Sequence, residues 1–305
     1  MEDIIPLIVA QATDQRSLHA LTLVHSISNR PATIRLYHTI RLSRLDSIIS
    51  FLTYAPDSIE TNVRHVELEL KLDMVTSPRW GEVLERIRNP TRKMRSVISL
   101  SVTIEGSYPY GEPLKEELYQ LYSLLCTSLF TDSYEGPKFF RLRYVVEGES
   151  RECPFKLQDR IMESFLSWPS TRYLDLPFFG KDWYPGRGAF PFWLSADRNQ
   201  DTNLEVISIS GLFFWNWHRD RMGDWLEQLS SLYVSEGRPK KSLRLEIRKP
   251  IDQLLDNCLE KFVERKDPAG IFDMIIVDDG RENEDAESWR FRVMEEYYRN
   301  EQRKI

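Results

Sequence analysis

Residues Ser242-Leu-Arg-Leu-Glu-Ile-Arg-Lys-Pro-Ile-Asp-Gln-Leu-Leu-Asp-Asn-Cys-Leu-Glu-Lys-Phe-Val-Glu-Arg-Lys266 decide how the whole chain reads. Leu243, Leu245 and Ile247 alternate with Arg244, Glu246 and Arg248, the period-two pattern of a strand with one buried face. Pro250 stops that strand, because proline has no N–H to give a ladder. Beyond it Ile251, Leu254, Leu255, Cys258, Leu259, Phe262 and Val263 fall at i, i+3, i+4, i+7 and i+8, the apolar stripe of a helix. Asp267-Pro-Ala-Gly270 ends the helix, and residues 271–277 open another strand. The unit is strand, helix, strand.

Working outward, the same alternation recurs at residues 66–70, 98–104, 140–144, 174–176 and 207–209. With 243–247 and 274–277 that makes seven candidate strands. Aligning Leu68, Leu100, Leu142, Leu174, Ile207, Leu245 and Ile275 gives separations of 32, 42, 32, 33, 38 and 30 residues. A period of that size marks stacked repeats. The intervals carry helical spacing: Trp80, Val83, Leu84, Ile87; Leu114, Leu118, Leu121, Leu125, Leu129; Leu157, Ile161, Phe165; Met222, Trp225, Leu226, Leu229. Residues 181–197 are the exception, broken by Pro185, Gly186, Gly188 and Pro191. Strands joined by helical crossovers pair in parallel. A doubly wound sheet buries both faces and reads as continuous apolar runs. These strands alternate, with Glu67, Glu69, Ser101, Arg141, Arg143, Asp175, Ser208, Arg244 and Glu246 on the second side. The expected fold is therefore an α/β solenoid, parallel strands on a wet concave face and helices outside.

Residues 1–48 read as a small helical module. Ile4, Ile5, Leu7 and Ile8 form one apolar face; Asp14-Gln-Arg-Ser17 is a helix start, followed by Leu18, Leu21, Leu23, Val24 and Ile27. Asp14-Gln-Arg-Ser-Leu-His-Ala-Leu-Thr-Leu-Val-His-Ser-Ile27 and Ile34-Arg-Leu-Tyr-His-Thr-Ile-Arg-Leu42 resemble the F-box-like segment of many fungal proteins. Met1-Glu-Asp-Ile-Ile-Pro6 stands where that family has Leu-Pro-x-Glu, and Ser28-Asn-Arg-Pro31 where it usually has a tryptophan. The repeats resemble the irregular leucine-rich repeats that follow such segments. The resemblance implies that Ile4, Ile5, Ile8, Leu18 and Leu21 dock the Skp-type adaptor of a cullin ubiquitin ligase. It also implies that the strand face, through Glu67, Glu69, Arg141, Arg143, Arg244 and Glu246, takes an unknown protein substrate. The domains expected are 1–48 (F-box-like), 49–280 (repeats) and 281–305, where Trp289, Val293, Met294, Tyr297 and Tyr298 form a helix capping the last repeat. Two alternatives stay open: a repeat-only scaffold whose F-box-like helices serve as a cap, and a sugar- or small-molecule-binding enzyme.

Composition fits an intracellular protein, cytoplasmic or nuclear. With 41 basic and 47 acidic residues the net charge is −6, and a nucleic-acid partner calls for the opposite sign. No apolar run approaches the roughly 18 residues of a membrane helix. Cys126, Cys153 and Cys258 are three, an odd number, and far apart, which suits a reducing compartment. No phosphate-binding loop, His-Glu-x-x-His, Cys-x-x-Cys or Gly-x-Ser-x-Gly occurs, and the five histidines are scattered. The expectation is a non-catalytic binding protein without metal or cofactor. The aromatic stretches 178–193 and 213–217 read as packing, with a binding platform using His218 as the rival reading.

Overall fold

The computed structural model describes residues 11, 15–24, 32–33, 36–55, 59–71, 73–74, 77–88, 93–105, 129–130, 134–145, 170–175, 204–210, 219–248, 261, 263–277 and 284–303. Helix α1 (Gln15–Val24) comes first, then β1 (Thr39–Leu42), α2 (Leu45–Tyr54), the single turn α3 (Ile59–Asn62), β2 (His65–Lys71), α4 (Trp80–Arg88), β3 (Ser99–Glu105) and β4 (Phe139–Val145). They are followed by β5 (Tyr173–Asp175), β6 (Val206–Ser210), α5 (Arg219–Ser235), β7 (Leu243–Arg248), β8 (Phe272–Val277) and α6 (Ala286–Arg303). The protein is mixed α/β. Its strands form one eight-stranded parallel sheet in the order β1-β2-β3-β4-β5-β6-β7-β8, each new strand added beside the last.

One rung of the sheet runs Ile40, Val66, Leu100, Phe140, Leu174, Ile207, Leu245, Met274. These side chains face the main core with Ile48, Ile49 and Leu52 of α2, Val83 of α4, and Leu226, Leu229 and Tyr233 of α5. Three corrections to the sequence reading follow. The rung passes through Val66, Phe140 and Met274, not Leu68, Leu142 and Ile275; Leu68 and Leu142 sit two residues further on the same face, whereas Ile275 pairs with Glu246 on the other face and is exposed. Residues 39–42 form an eighth strand paired with β2, and α2 runs through residue 48, so the sheet begins inside the stretch assigned to the N-terminal module. The second face is not wet: Ser101, Arg141, Asp175, Ser208, Glu246 and Arg248 are all buried. Apart from the main core, Leu18 of α1 packs on Ala32, with Leu21 and Leu36 alongside.

The strand junctions share a backbone device that side-chain patterns do not announce. The carbonyl of His38 accepts the N–H groups of Arg64 (3.0 Å) and His65 (3.1 Å), and that of Arg64 those of Ile98 (2.6 Å) and Ser99 (3.1 Å). Lys138 does the same for Arg172 and Tyr173, and Arg172 for Glu205 and Val206. Each pair sits where one strand begins beside the previous one. Buried tyrosines add a second tie: Tyr134 donates to the Val97 carbonyl ahead of β3 (3.1 Å), and Tyr233 to the Leu204 carbonyl ahead of β6 (2.8 Å). Before β8, Asp267 accepts from the Phe272 N–H (2.7 Å) and the Ser230 hydroxyl (2.5 Å), while Gly270, at φ +70°, makes the left-handed turn. Helical spacing predicted at 80–87 and 222–229 forms as α4 and α5; that at 114–125, 157–165 and most of 251–263 lies outside the described residues.

Candidate functional site

Odd and even residues of a strand point to opposite sides, so the second face has its own rungs. One reads Thr39, His65, Ser99, Phe139, Tyr173, Val206, Arg244, Asp273; the next Arg41, Glu67, Ser101, Arg141, Asp175, Ser208, Glu246, Ile275. Helix α6 lies across them. Asp285 caps it, accepting the Ser288 N–H (2.7 Å) and hydroxyl (3.1 Å), and that bond to the Ser288 amide holds the Asp285 carboxyl below its ordinary pKa. Trp289 and Val293 are buried against Phe139 and Tyr173, with Met294 and Tyr297 beside them. Arg290 reaches Glu67 of β2 (3.1 Å), and Glu296 reaches Arg244 of β7 (2.9 Å). The helix expected to cap the last repeat is thus tied to β2, β4, β5 and β7, because its aromatic stripe matches Phe139 and Tyr173.

Beneath the helix the guanidiniums of Arg141, Arg244, Arg248, Arg290 and Arg292 meet the carboxylates of Glu67, Asp175, Glu246, Glu284 and Glu296. Arg141 lies 3.7 Å from Asp175, which also binds Arg248. Its other nitrogens donate to the carbonyls of Asp285 (3.0 Å) and Glu284 (2.7 Å), and its guanidinium stands 5.4 Å from the Trp289 ring centre. Arg244 pairs with Glu246 as well as Glu296, and Arg292 grips Glu284 through two nitrogens (3.0 and 2.9 Å). The Tyr173 hydroxyl accepts from Arg292 (3.3 Å) and donates to Glu246 (3.0 Å). Burial, aided by Glu246 and Asp175, pushes the Tyr173 phenol up, so it keeps the proton it donates. Burial also draws Arg141 down to about 10, against the pull of Asp175, leaving it charged at neutral pH. Burial raises Glu67, with Arg290 opposing. His65 donates to or accepts from the Ser99 hydroxyl (2.8 Å); burial and then Arg290 push it down to about 3, so it is neutral.

Every carboxylate in this network is matched to a guanidinium. That arrangement fixes charge in place rather than offering a general base. Of the residues expected to meet a substrate, Glu67, Arg141, Arg244 and Glu246 join the α6 network, Glu69 pairs with Arg41, and Arg143 is half-buried on β4. The sequence reading missed Tyr173 and the charged flank of α6. The signal was there: Arg290, Arg292 and Glu296 border the Trp289, Val293, Tyr297 stripe, which suits a helix resting on a polar face. Of the expected adaptor contacts, Leu18 and Leu21 turn toward Ala32 and Leu36; Leu23, outside that set, is 74% exposed. Ile4, Ile5 and Ile8, the three cysteines and the aromatic stretches 178–193 and 213–217 lie outside the described residues. A cleft of about 500 Å³ opens at the carboxyl ends of β1 and β2 between Asp46, Glu69 and Lys71; there Asp46 pairs with Arg79 and Glu69 with Arg41. Among the described residues no group of three or more His, Cys, Asp or Glu could hold a metal ion, and no helix is long and apolar enough to cross a membrane. No family model, curated protein or solved structure matches this chain.

Proposed function

We propose that the chain is a non-catalytic interaction protein, a leucine-rich-repeat-like solenoid with an F-box-like N-terminus, serving as a substrate-recognition subunit of a cullin-type ubiquitin ligase in the cytoplasm or nucleus. The observation that carries the repeat reading is the strictly sequential strand order, reinforced by the doubly accepting carbonyl at four junctions. Stacked repeats add each unit to the face of the one before, whereas a doubly wound sheet reverses direction at a switch point. The polar strand face, which α6 covers, supports recognition of a protein that takes the place of the helix, since its charges are set in fixed positions. The F-box-like segment supports docking of a Skp-type adaptor.

The test is a titration of the purified chain with that adaptor. Binding at micromolar affinity or better, lost in folded Ile8→Asp and Leu23→Asp variants, would support the ligase reading. Leu23→Asp is the cleaner variant, because Leu23 faces solvent while Leu21 also braces Leu18. A folded chain that does not bind removes the ligase. The packing of Leu18 into its own small cluster favours a second reading, in which this module is only a cap on the sheet's first strand, and the same negative result would support it.

A further inference from the structure

We propose that the polar face of the sheet is a helix-recognition surface that α6 occupies in place of a partner. The partner it fits is an amphipathic helix carrying a tryptophan flanked by arginine, with a second aromatic two turns on. This rests on the reading of that face as the partner surface, and not on the adaptor.

Three observations carry it. The first is the chemistry of the cover. The opposite face is closed by an apolar cluster that includes Ile48, Val83 and Leu226. A face meant only to be sealed gains nothing from buried charge, because desolvation offsets the attraction of each pair. Yet Arg141, Asp175 and Glu246 are each 2% exposed or less. The second is incomplete fit. Ser101 Oγ, on the rung beneath α6, is buried with no hydrogen-bond partner among the described residues, and Arg141 Nε has only the 3.7 Å ion pair with Asp175. Native structures rarely leave such atoms unpaired, and a ligand that satisfied them would bind better than α6 does. The third is separability. Each strand pairs only with its neighbours in the sheet, and α6 is held by side chains and by Arg141 reaching the carbonyls of Glu284 and Asp285. Its departure breaks no ladder. The helix itself supplies the pattern a partner must match: Trp289 on Arg141, Arg290 on Glu67, Tyr297 on Phe139, Glu296 on Arg244.

The experiment uses the full chain and a fluorescent peptide of residues 284–303. In the chain, Trp289→Ala with Arg290→Glu weakens the resident helix and leaves Glu67, Arg141 and Asp175 in place. We expect this variant to bind the wild-type peptide at least tenfold more tightly than the wild-type chain does, and to reject a peptide bearing the same two changes. Hydrogen exchange on the wild-type chain should release α6 amides at least tenfold faster than those of β3, β4 and β7. A folded variant with no gain in peptide affinity overturns the proposal. So does exchange of α6 and the strands as one unit, or unfolding of both this variant and the milder Arg290→Gln, since a helix the fold cannot lose cannot be exchanged. The peptide experiment does not use the adaptor, so adaptor binding can fail while peptide exchange succeeds, and the reverse.

Discussion

Phe140 and Arg141 are neighbours on β4 and equally buried, yet they face different worlds. Phe140 enters a core that accepts any apolar side chain of the right volume, shared with α2, α3, α4 and α5. Arg141 enters a layer where each group needs a named partner at a fixed distance: Asp175, two carbonyls, and the Trp289 ring. The first face supplies stability without selecting its cover. The second spends much of its burial on desolvating charge, and what it gains is selectivity. Sheets covered on both sides commonly use apolar residues on both. This one does not, and the asymmetry separates a face that any apolar cover would seal from one whose cover must supply matched charges.

The sharpest way to break this contrast is substitution on each side. Phe140→Ala should cost about 3–5 kcal/mol, as large-to-small changes in packed cores do, read from urea unfolding. Asp175→Asn should cost about 3 kcal/mol, because it leaves Arg141 and Arg248 facing each other over an amide. The informative variant removes all three charges, Asp175→Leu with Arg141→Met and Arg248→Met. It should be more stable than Asp175→Asn alone while α6 loses its hydrogen-exchange protection. If the triple variant is the less stable one, the polar layer is part of what holds the fold together, and the contrast fails.

The apolar face was largely legible in the sequence, because hydrophobic alternation reports a face that is buried among anything apolar. Leu100, Leu174, Ile207 and Leu245 were aligned on the rung they share. The polar face misled for the complementary reason. Alternating Arg141, Asp175 and Glu246 reads the same whether water or a helix lies above them, and what distinguishes the two is α6, a separate helix beyond the last strand. Strand β1 is hard to read in the sequence because Thr39–Leu42 is four residues long and sits within a stretch of mostly helical pattern. The doubly accepting carbonyls leave no trace in sequence, since any residue supplies a carbonyl.

Acid should expose the seam between the faces. The folded chain holds His65 neutral down to about pH 3, while an unfolded chain takes up that proton near 6.5, so protons favour unfolding throughout that window. His38 is lowered as well and acts in the same direction; Glu67 is raised and opposes it at the acid end. The charged groups that bear on His65 are Arg290 from α6 and Arg64 and His38 from its own approach, with the Ser99 hydroxyl from β3. Stability should therefore be intact above about pH 6.5 and fall below it, His65 contributing up to about 1.4 kcal/mol per pH unit. His65→Asn keeps a polar atom for Ser99 and should flatten the slope between pH 6.5 and 5 by about that amount. Parallel slopes for the two proteins would remove His65 from the account.

The smallest effect is expected at Ile275, where the two faces meet the sheet's last strand. If Ile275 shared the rung of Leu245, as sequence spacing suggests, a polar substitution there would cost as much as one in the core, about 2–4 kcal/mol. The observed register puts Met274 on that rung and turns Ile275 to the polar side, 38% exposed, one strand beyond β7, where Arg244 makes the last described tie to α6. Neither the core nor the helix claims it. Ile275→Thr should shift stability by less than about 0.5 kcal/mol, whereas Ile247→Thr, buried on the apolar side of β7, should cost several times more. Equal costs would move Ile275 into the core, shift β8 by one residue, and place the polar face of that strand where its apolar face now stands.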